Sequence, residues 1–246
     1  MLETEFKLEY EIEELPADGG VPVIVVAAGS STRMNGINKQ TALLCGVPLI
    51  IRTLMQFEKC SKISNIILVV KPDELFSMQQ LADGYSIKKL SDIVCGGESR
   101  QQSVKNGLER LPENAETVLI HDGARPFVTD EIICGVISAL STHNAVTCAV
   151  KLKDTVKQVD ENGNVLSTPD RNTLVAVQTP QGVNVSDYRA ALESSVDLGR
   201  FTDDMSVMEA AGHKPFTVPG SYENIKVTTP EDIALAEYLI LKDEKE

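Results

Sequence analysis

The stretch Pro22-Val23-Ile24-Val25-Val26-Ala27-Ala28-Gly29-Ser30-Ser31 decides the fold class, because it joins an apolar run to a loop of small residues. A short apolar run rich in β-branched residues is typical of a buried strand in a parallel sheet. At the carboxyl end of such a strand, small residues let backbone N–H groups approach phosphate oxygens without obstruction by Cβ atoms. Arg33 and Lys39 follow and supply positive charge. The stretch therefore predicts a phosphate-binding loop at the edge of an α/β sheet.

The loop matches neither of two common phosphate-binding motifs. Gly36-Ile37-Asn38-Lys39 lacks the adjacent Gly-Lys-Ser/Thr of a P-loop, and the glycines do not form a GxGxxG pattern. Taken alone, the segment is also open to the less favoured interpretation of a polar surface loop without a ligand.

Further along the chain, short β-rich runs alternate with segments of helical periodicity. This alternation predicts an α/β fold with a doubly wound, mostly parallel sheet. The predicted strands are Pro22–Ala27, Asn65–Val70, Ser91–Val94, Val118–His121 and Ala145–Val150.

The stretch Lys151–Gln178, called the arm below, interrupts this alternation. It contains two β-like runs on either side of Asn162-Gly163, a dipeptide that fits a two-residue hairpin turn. The arm is too short to bury a core of its own, so it is predicted to pack on another surface. A second subunit is the simplest candidate, which predicts a β-hairpin dimerisation arm and a homodimer.

Composition argues against several classes of protein. A net charge of −13 disfavours binding to nucleic acid or to an anionic membrane. The five cysteines are far apart and form no CxxC pair, which argues against a disulfide framework or a zinc site and favours the reducing cytoplasm. Residues 1–20 are predicted to be an acidic extension, followed by a single domain over residues 21–242.

Further polar and charged motifs occur along the chain, and the first two come directly after predicted strands, where ligands of open α/β sheets bind. They are Gly96-Gly97-Glu98-Ser99-Arg100-Gln101-Gln102-Ser103, His121-Asp122-Gly123-Ala124-Arg125-Pro126, Asp170-Arg171, Gln178-Thr179-Pro180-Gln181 and Asn224-Ile225-Lys226-Val227-Thr228. With the first loop, they make six motifs. In their order and approximate spacing, the span from about Val21 to Leu241 resembles the 2-C-methyl-D-erythritol 4-phosphate cytidylyltransferase family, which has a Rossmann-like nucleotidyltransferase fold.

The resemblance implies a reaction, in which CTP and 2-C-methyl-D-erythritol 4-phosphate give 4-diphosphocytidyl-2-C-methyl-D-erythritol and pyrophosphate with Mg²⁺ as cofactor. The implied catalytic residues are Arg33, Lys39, Arg171 and Lys226. The implied CTP-binding residues are Ala27, Ala28, Gly29, Ser30, Ser31, Gly97, Glu98 and Ser103. The implied acceptor-binding residues are Asp122, Arg125, Thr179 and Thr202, of which Asp122 is also the implied metal ligand. The arm matches the dimerisation arm of the family.

The sequence departs from the family pattern at a few positions, although no charged catalytic group is missing. Glu98 stands where Asp, Ser or Thr is usual, and Asn38 stands where proline is common. Two other functions are compatible with the same loops: a ribitol-5-phosphate cytidylyltransferase, and a non-catalytic protein that senses nucleotides.

Overall fold

The structure is a computed structural model that describes residues 20–29, 39–195 and 197–243. The acidic extension, except Gly20, lies outside these residues, as do the predicted site residues Ser30, Ser31 and Arg33. Within the described ranges, no helix is long and apolar enough to cross a membrane. All five cysteines are described, and all are free thiols.

The described residues form eleven β-strands and seven α-helices. The strands are β1 (Val21–Val26), β2 (Leu43–Leu44), β3 (Val47–Pro48), β4 (Ile63–Val70), β5 (Leu90–Cys95), β6 (Thr117–Asp122), β7 (Ala145–Lys151), β8 (Gln158–Val159), β9 (Val165–Ser167), β10 (Val175–Asn184) and β11 (Phe216–Pro219). The α-helices are α1 (Leu49–Lys59), α2 (Leu75–Gly84), α3 (Arg100–Leu108), α4 (Asp130–Ala139), α5 (Val185–Ser194), α6 (Asp204–Ala210) and α7 (Pro230–Asp243).

Seven of these strands form the central sheet in the order β11-β7-β10-β6-β1-β4-β5. Strand β10 is antiparallel to both β6 and β7, and the other pairs of neighbours are parallel. The predicted mostly parallel sheet is therefore confirmed. All five predicted strands are present, with ends that differ by one or two residues.

Strand β1 is an interior strand of the sheet, between β6 and β4, and is covered by helices on both faces. Val23 and Val25 belong to the apolar core that includes residues of α1 and α4, whereas Ile24 belongs to the opposite core with residues of α3 and α5. All three side chains are fully buried, and burying each contributes roughly 1.5–3 kcal/mol. This burial on both faces explains the continuous apolar run in the sequence.

The arm contains the predicted hairpin, but the predicted two-residue turn is wrong. Strands β8 and β9 pair only with each other and are joined by the five-residue loop 160–164. The Asp160 carboxylate accepts hydrogen bonds from the backbone N–H groups of Asn162 and Asn164, at 3.0 and 2.8 Å. These bonds stabilise the wider loop, and Gly163 supplies the positive φ of +85° that it requires.

Candidate active site

A cavity of about 560 Å³ opens at the carboxyl ends of β1, β4, β5 and β6. Eight predicted site residues lie in its wall: Ala28, Gly29, Lys39, Gly97, Glu98, Ser103, Asp122 and Lys226. The wall also contains residues to which the sequence assigned no role, among them Gln40, Lys71 and Arg100. The parallel strands thus bring together motifs that are far apart in the sequence.

The loop from β5 to α3 is one wall of the cavity. Ser99 caps α3 by accepting a hydrogen bond from the Gln102 N–H at 3.0 Å, and the Ser103 hydroxyl accepts one from the Gly97 N–H at 3.1 Å. The Gln102 side chain donates to Asn106, so only half of a capping box forms. These bonds hold the loop with its backbone close to the cavity.

Gly97 cannot accept a side chain without a change in this loop. A Cβ atom at Gly97 would lie 2.1 Å from Cγ and 2.6 Å from Cβ of Gln102. Overpacking of this kind typically costs about 1–3 kcal/mol. If CTP binds this loop, as the family resemblance implies, Gly97→Ala should raise the KM for CTP about tenfold or more, as measured by steady-state kinetics.

Gly135→Ala is the matched control for this substitution. Gly135 lies within α4, and a Cβ atom added there has no neighbour within 4 Å. Alanine also has a higher helix propensity than glycine. The control should therefore retain the KM for CTP, and an equally small change in Gly97→Ala would contradict a tight nucleotide loop.

Lys39 is held at the opposite wall by a short 3-10 turn, Lys39–Thr41. The Gln40 side chain is buried and donates to the carbonyl oxygen of Ala27 at 3.3 Å. Ala27 in turn donates to Val69 across the sheet. Lys39 is therefore fixed to the end of β1, and Ala27 lies beneath the cavity rather than in its wall.

Asp122, the last residue of β6, faces three cationic side chains. Its Oδ2 atom lies 2.6 Å from Lys226 Nζ and 3.8 Å from Arg125 Nε, and its Oδ1 atom lies 3.5 Å from Arg100 Nε. Burial by itself would raise the pKa of this carboxyl, but the charges of Arg100 and Lys226 lower the pKa well below its usual range. Asp122 is therefore ionised at neutral pH, and Lys226 is held at the cavity wall.

Arg100 is the cavity residue that the sequence analysis missed. It is the first residue of α3, and its Nη2 atom lies 2.8 Å from Oδ2 of the fully buried Asp204. Asp204 also accepts a hydrogen bond from the Tyr188 hydroxyl at 2.6 Å. A cation is unfavourable at a helix N-terminus. That mismatch is the sequence signal for a specific acidic partner, which Asp204 and Asp122 provide here.

Thr179 and His121 form a layer behind Asp122. The Thr179 hydroxyl accepts a hydrogen bond from the Asp122 N–H at 3.0 Å and lies 3.1 Å from His121 Nδ1. His121 Nε2 lies 3.0 Å from the carbonyl oxygen of Arg125. Because a carbonyl can only accept, Nε2 carries the ring proton and Nδ1 accepts from Thr179. Arg125 itself donates to the carbonyl oxygen of Asn224 at 2.7 Å.

The comparisons with known proteins agree with this geometry. The family model of 2-C-methyl-D-erythritol 4-phosphate cytidylyltransferase matches residues 21–242. The chain belongs to this family. The cytidylyltransferase of that name from Alkaliphilus metalliredigens is 46% identical over 223 residues, which cover 89% of this chain and 92% of the relative. The Clostridium novyi cytidylyltransferase is 42% identical, with 88% and 95% covered.

A solved structure of the cytidylyltransferase family shares the fold. The crystal structure of 4-diphosphocytidyl-2C-methyl-D-erythritol synthase from Anaerococcus prevotii superposes with a TM-score of 0.80 at 31% identity. The match covers 91% of this chain and 96% of the other. The Rossmann-like nucleotidyltransferase fold implied by the sequence motifs is therefore confirmed.

Five of the described residues that the sequence assigned to the site lie outside the cavity wall of this cytidylyltransferase-family chain, namely Ala27, Arg125, Thr179, Arg171 and Thr202. Two of them, Arg171 and Thr202, are exposed. Arg171 is exposed at the base of the arm, where its Nη1 atom donates to the carbonyl oxygen of Lys153 at 2.8 Å. Thr202 is exposed immediately before α6. Neither of these side chains lines the cavity.

The cavity offers carboxylate ligands for Mg²⁺, but too few to bind the ion without a substrate. Its wall contains two carboxylates, Glu98 and Asp122. Among the residues that the structure describes, no group of three His, Cys, Asp or Glu side chains forms a metal site. Proteins often hold Mg²⁺ through one or two carboxylates together with substrate phosphates. The donors therefore fit an ion whose other ligands come from a nucleoside triphosphate and water.

Burial of His121 makes the stability of this fold depend on pH. Burial lowers the pKa of His121 from its usual 6.5 to about 4. Between these pH values the unfolded chain binds a proton that the folded chain does not, so stability rises with pH. The free energy of unfolding should increase by about 3 kcal/mol from pH 4 to pH 7 through this group.

Urea unfolding between pH 4 and pH 8 measures this dependence. In the His121→Gln variant, we expect the free energy of unfolding to increase much less between pH 4 and pH 6.5 than in the wild type. This expectation does not depend on the stability of the variant at neutral pH. Asp122 contributes little in this window, because its pKa is lowered from 3.8 and most of its stabilisation is lost only below that pH. The same slope in wild type and variant would contradict a buried neutral His121.

Proposed function

We propose that the chain is a cytidylyltransferase that forms 4-diphosphocytidyl-2-C-methyl-D-erythritol and pyrophosphate from CTP and 2-C-methyl-D-erythritol 4-phosphate. The observation that carries this proposal is the family match over residues 21–242. The cavity supports it, because the Gly97 loop, Lys39 and the Asp122–Lys226 pair all lie in its wall.

The proposed chemistry requires charge neutralisation rather than a covalent intermediate. An acceptor phosphate oxygen attacks the α-phosphorus of CTP, and pyrophosphate leaves in line. Both reactants are anions, so preorganised cations lower the barrier by stabilising the charge of the transition state. We assign Lys39 and Arg33 to the triphosphate side, and Lys226 and Arg171 to the acceptor phosphate.

We also propose that Asp122 holds Lys226 in place before the acceptor binds. The Lys226 ammonium group lies 2.6 Å from Asp122 Oδ2 and is partly exposed to the cavity. An incoming phosphate can share this ammonium group without breaking the contact with Asp122. Because the acceptor phosphate is already ionised at neutral pH, the reaction needs no general base.

We propose that Mg²⁺ binds with the triphosphate and that Asp122 is its protein ligand. When bound, the ion neutralises phosphate charge and holds the triphosphate in a reactive arrangement. The chain's own residues then set the position of the α-phosphorus through Lys39 and the backbone of the Gly97 loop.

We propose that the protein is a cytoplasmic homodimer in which the arm of each chain docks on its partner. Val159, Val165 and Leu166 on the hairpin are 52%, 59% and 60% exposed, which leaves an apolar surface without a cover in the single chain. Arg171, at the base of the arm, lies outside the cavity of its own chain. A docked arm would bring Arg171 to the acceptor side of the partner's cavity.

Pyrophosphate release tests the proposed function. The purified protein is mixed with CTP, Mg²⁺ and each of several polyol phosphates, including 2-C-methyl-D-erythritol 4-phosphate and ribitol 5-phosphate. We expect the fastest release with the methylerythritol compound. Faster release with ribitol 5-phosphate would transfer the assignment to the other polyol, and binding of CTP without turnover would favour the sensor alternative.

A further inference from the structure

The loop 220–227, called the acceptor loop below, carries Lys226 to the cavity. Hydrogen bonds anchor both of its ends to the body of the domain. The Gly220 N–H donates to the carbonyl oxygen of Ala149 at 2.8 Å, and the Val227 N–H donates to that of Ala124 at 2.9 Å. Lys226 adjoins the second anchor, and its ammonium group is paired with Asp122. The path of the loop that leads to Lys226 depends on what holds residues 221 to 225.

The last residue of the arm, Gln178, holds one part of the acceptor loop. Its Nε2 atom donates to the carbonyl oxygen of Ser221 at 2.8 Å, and its Oε1 atom accepts from the Ser221 N–H at 3.3 Å. Gln178 is buried, and a Cβ atom at Gly220 would lie 2.4 Å from its Oε1 atom. The carboxyl end of the arm is therefore closely packed against this loop.

Tyr222 links the same loop to the first residues of the arm. Its hydroxyl donates to the carbonyl oxygen of Lys151 at 2.7 Å. The ammonium group of Lys153 lies 3.8 Å from the centre of the Tyr222 ring, within the range of a cation–π interaction. The carbonyl oxygen of Lys153 accepts the hydrogen bond from Arg171. A short series of contacts thus joins the acceptor loop to Arg171.

Tyr222 is exposed, so its contacts with the arm are not part of the packing of the apolar core. The side chain is 49% exposed, so its loss would leave no cavity in the domain. Its hydroxyl nevertheless bonds to a backbone carbonyl of the arm, although water is available as a partner. The hydrogen bond from Arg171 to the carbonyl oxygen of Lys153 uses one of the five guanidinium donors of Arg171. The other donors are left for a phosphate.

We propose that Tyr222 is a positioning residue for the transfer reaction, which fixes the acceptor loop and its Lys226 relative to the base of the arm and its Arg171. The inference rests on the proposed function, in which Lys226 of one chain and Arg171 of the partner chain hold each acceptor phosphate. Tyr222 then links the Lys226 of one cavity to the arm that serves the other cavity.

The first test is the substitution Tyr222→Phe, which removes the hydroxyl and keeps the ring over which Lys153 lies. Loss of one hydrogen bond corresponds to a change of about three- to tenfold in affinity. We expect the KM for the acceptor to rise by about this factor, while the KM for CTP and the melting temperature stay nearly unchanged. Tyr238→Phe, on the exposed face of α7, is the matched control and should change neither KM.

A double-mutant cycle tests whether the effect passes through Arg171. Residues that act together show a coupling energy, whereas independent residues add. We expect Tyr222→Phe to have little further effect on the acceptor KM in an Arg171→Ala background. Sedimentation of each variant at the assay concentration keeps a change of oligomeric state apart from a change in positioning.

The outcomes separate this proposal from the proposed function. The acceptor in these assays is the polyol phosphate that the wild-type protein uses fastest, so wild-type turnover reports on the function and the variants report on Tyr222. Equal increases in both KM values, an unchanged acceptor KM, or additive effects with Arg171→Ala would overturn the positioning role. A wild-type protein that uses no acceptor would overturn both proposals.

Discussion

Replacing CTP by UTP is expected to lower kcat/KM by a factor on the order of 10²–10⁴. Cytosine and uracil differ in their hydrogen-bonding groups, and a site built for one base leaves polar groups unpaired with the other. The loop from β5 to α3 suits such discrimination, because its backbone is held at the cavity wall by the bonds of Ser99 and Ser103. Steady-state kinetics with each nucleoside triphosphate at a fixed acceptor concentration measures the ratio.

ATP and GTP complete this experiment, because their bases are larger than cytosine whereas uracil has the same size. Low kcat/KM values for UTP as well as for ATP and GTP would indicate that the loop recognises the hydrogen-bonding edge of cytosine. Comparable kcat/KM values for CTP and UTP would show that the loop does not read the base, and the assignment of CTP would then be wrong.

Lys39→Ala should lower kcat by a factor of about 10²–10³, the usual effect of removing one preorganised charge from a transition state. The reason is the place of this residue in the cavity wall. The 3-10 turn that carries Lys39 is anchored to the end of β1 by the buried side chain of Gln40. Single-turnover measurements with saturating CTP would follow the chemical step directly.

Lys88→Ala is the control for this prediction, since Lys88 is an exposed lysine whose side chain does not line the cavity. Circular dichroism and thermal unfolding should show that both variants are folded. A well-folded Lys39→Ala variant with near-normal kcat would return Lys39 to the role of a surface charge. The corresponding effect for Arg33 stays a prediction from the sequence, because that residue lies outside the described ranges.

Local sequence pattern predicted the central strands well, because burial on two faces requires apolar runs that are visible without the fold. Strand β10 was harder, because it begins in the exposed arm and includes Gln178, Thr179 and Gln181, which are buried polar residues. The Gln178 side chain accepts a hydrogen bond from Asn224, and the Gln181 side chain donates one to Asp203. Both partners are distant in the chain. No local pattern reveals such partners.

The candidate site was predictable where a motif follows a predicted strand. Gly97 and Asp122 follow predicted strands and meet at one edge of the sheet, as the rule for parallel strands requires, whereas the role of Lys226 was implied by the family resemblance. Arg100 was not predicted as a site residue, because its role depends on Asp204, whose buried carboxylate lies more than a hundred residues later in the chain.

The sequence by itself determined the order of the elements and the residues that meet at the carboxyl edge of the sheet, because hydrophobic periodicity and motif order are local properties. Only the tertiary structure decided how the charges are paired. It places Asp122 among three cations, holds His121 neutral, and ties the loop of Lys226 to the arm through Tyr222. Distances of a few ångströms and the exclusion of water determine such interactions, and both arise only when distant segments pack together.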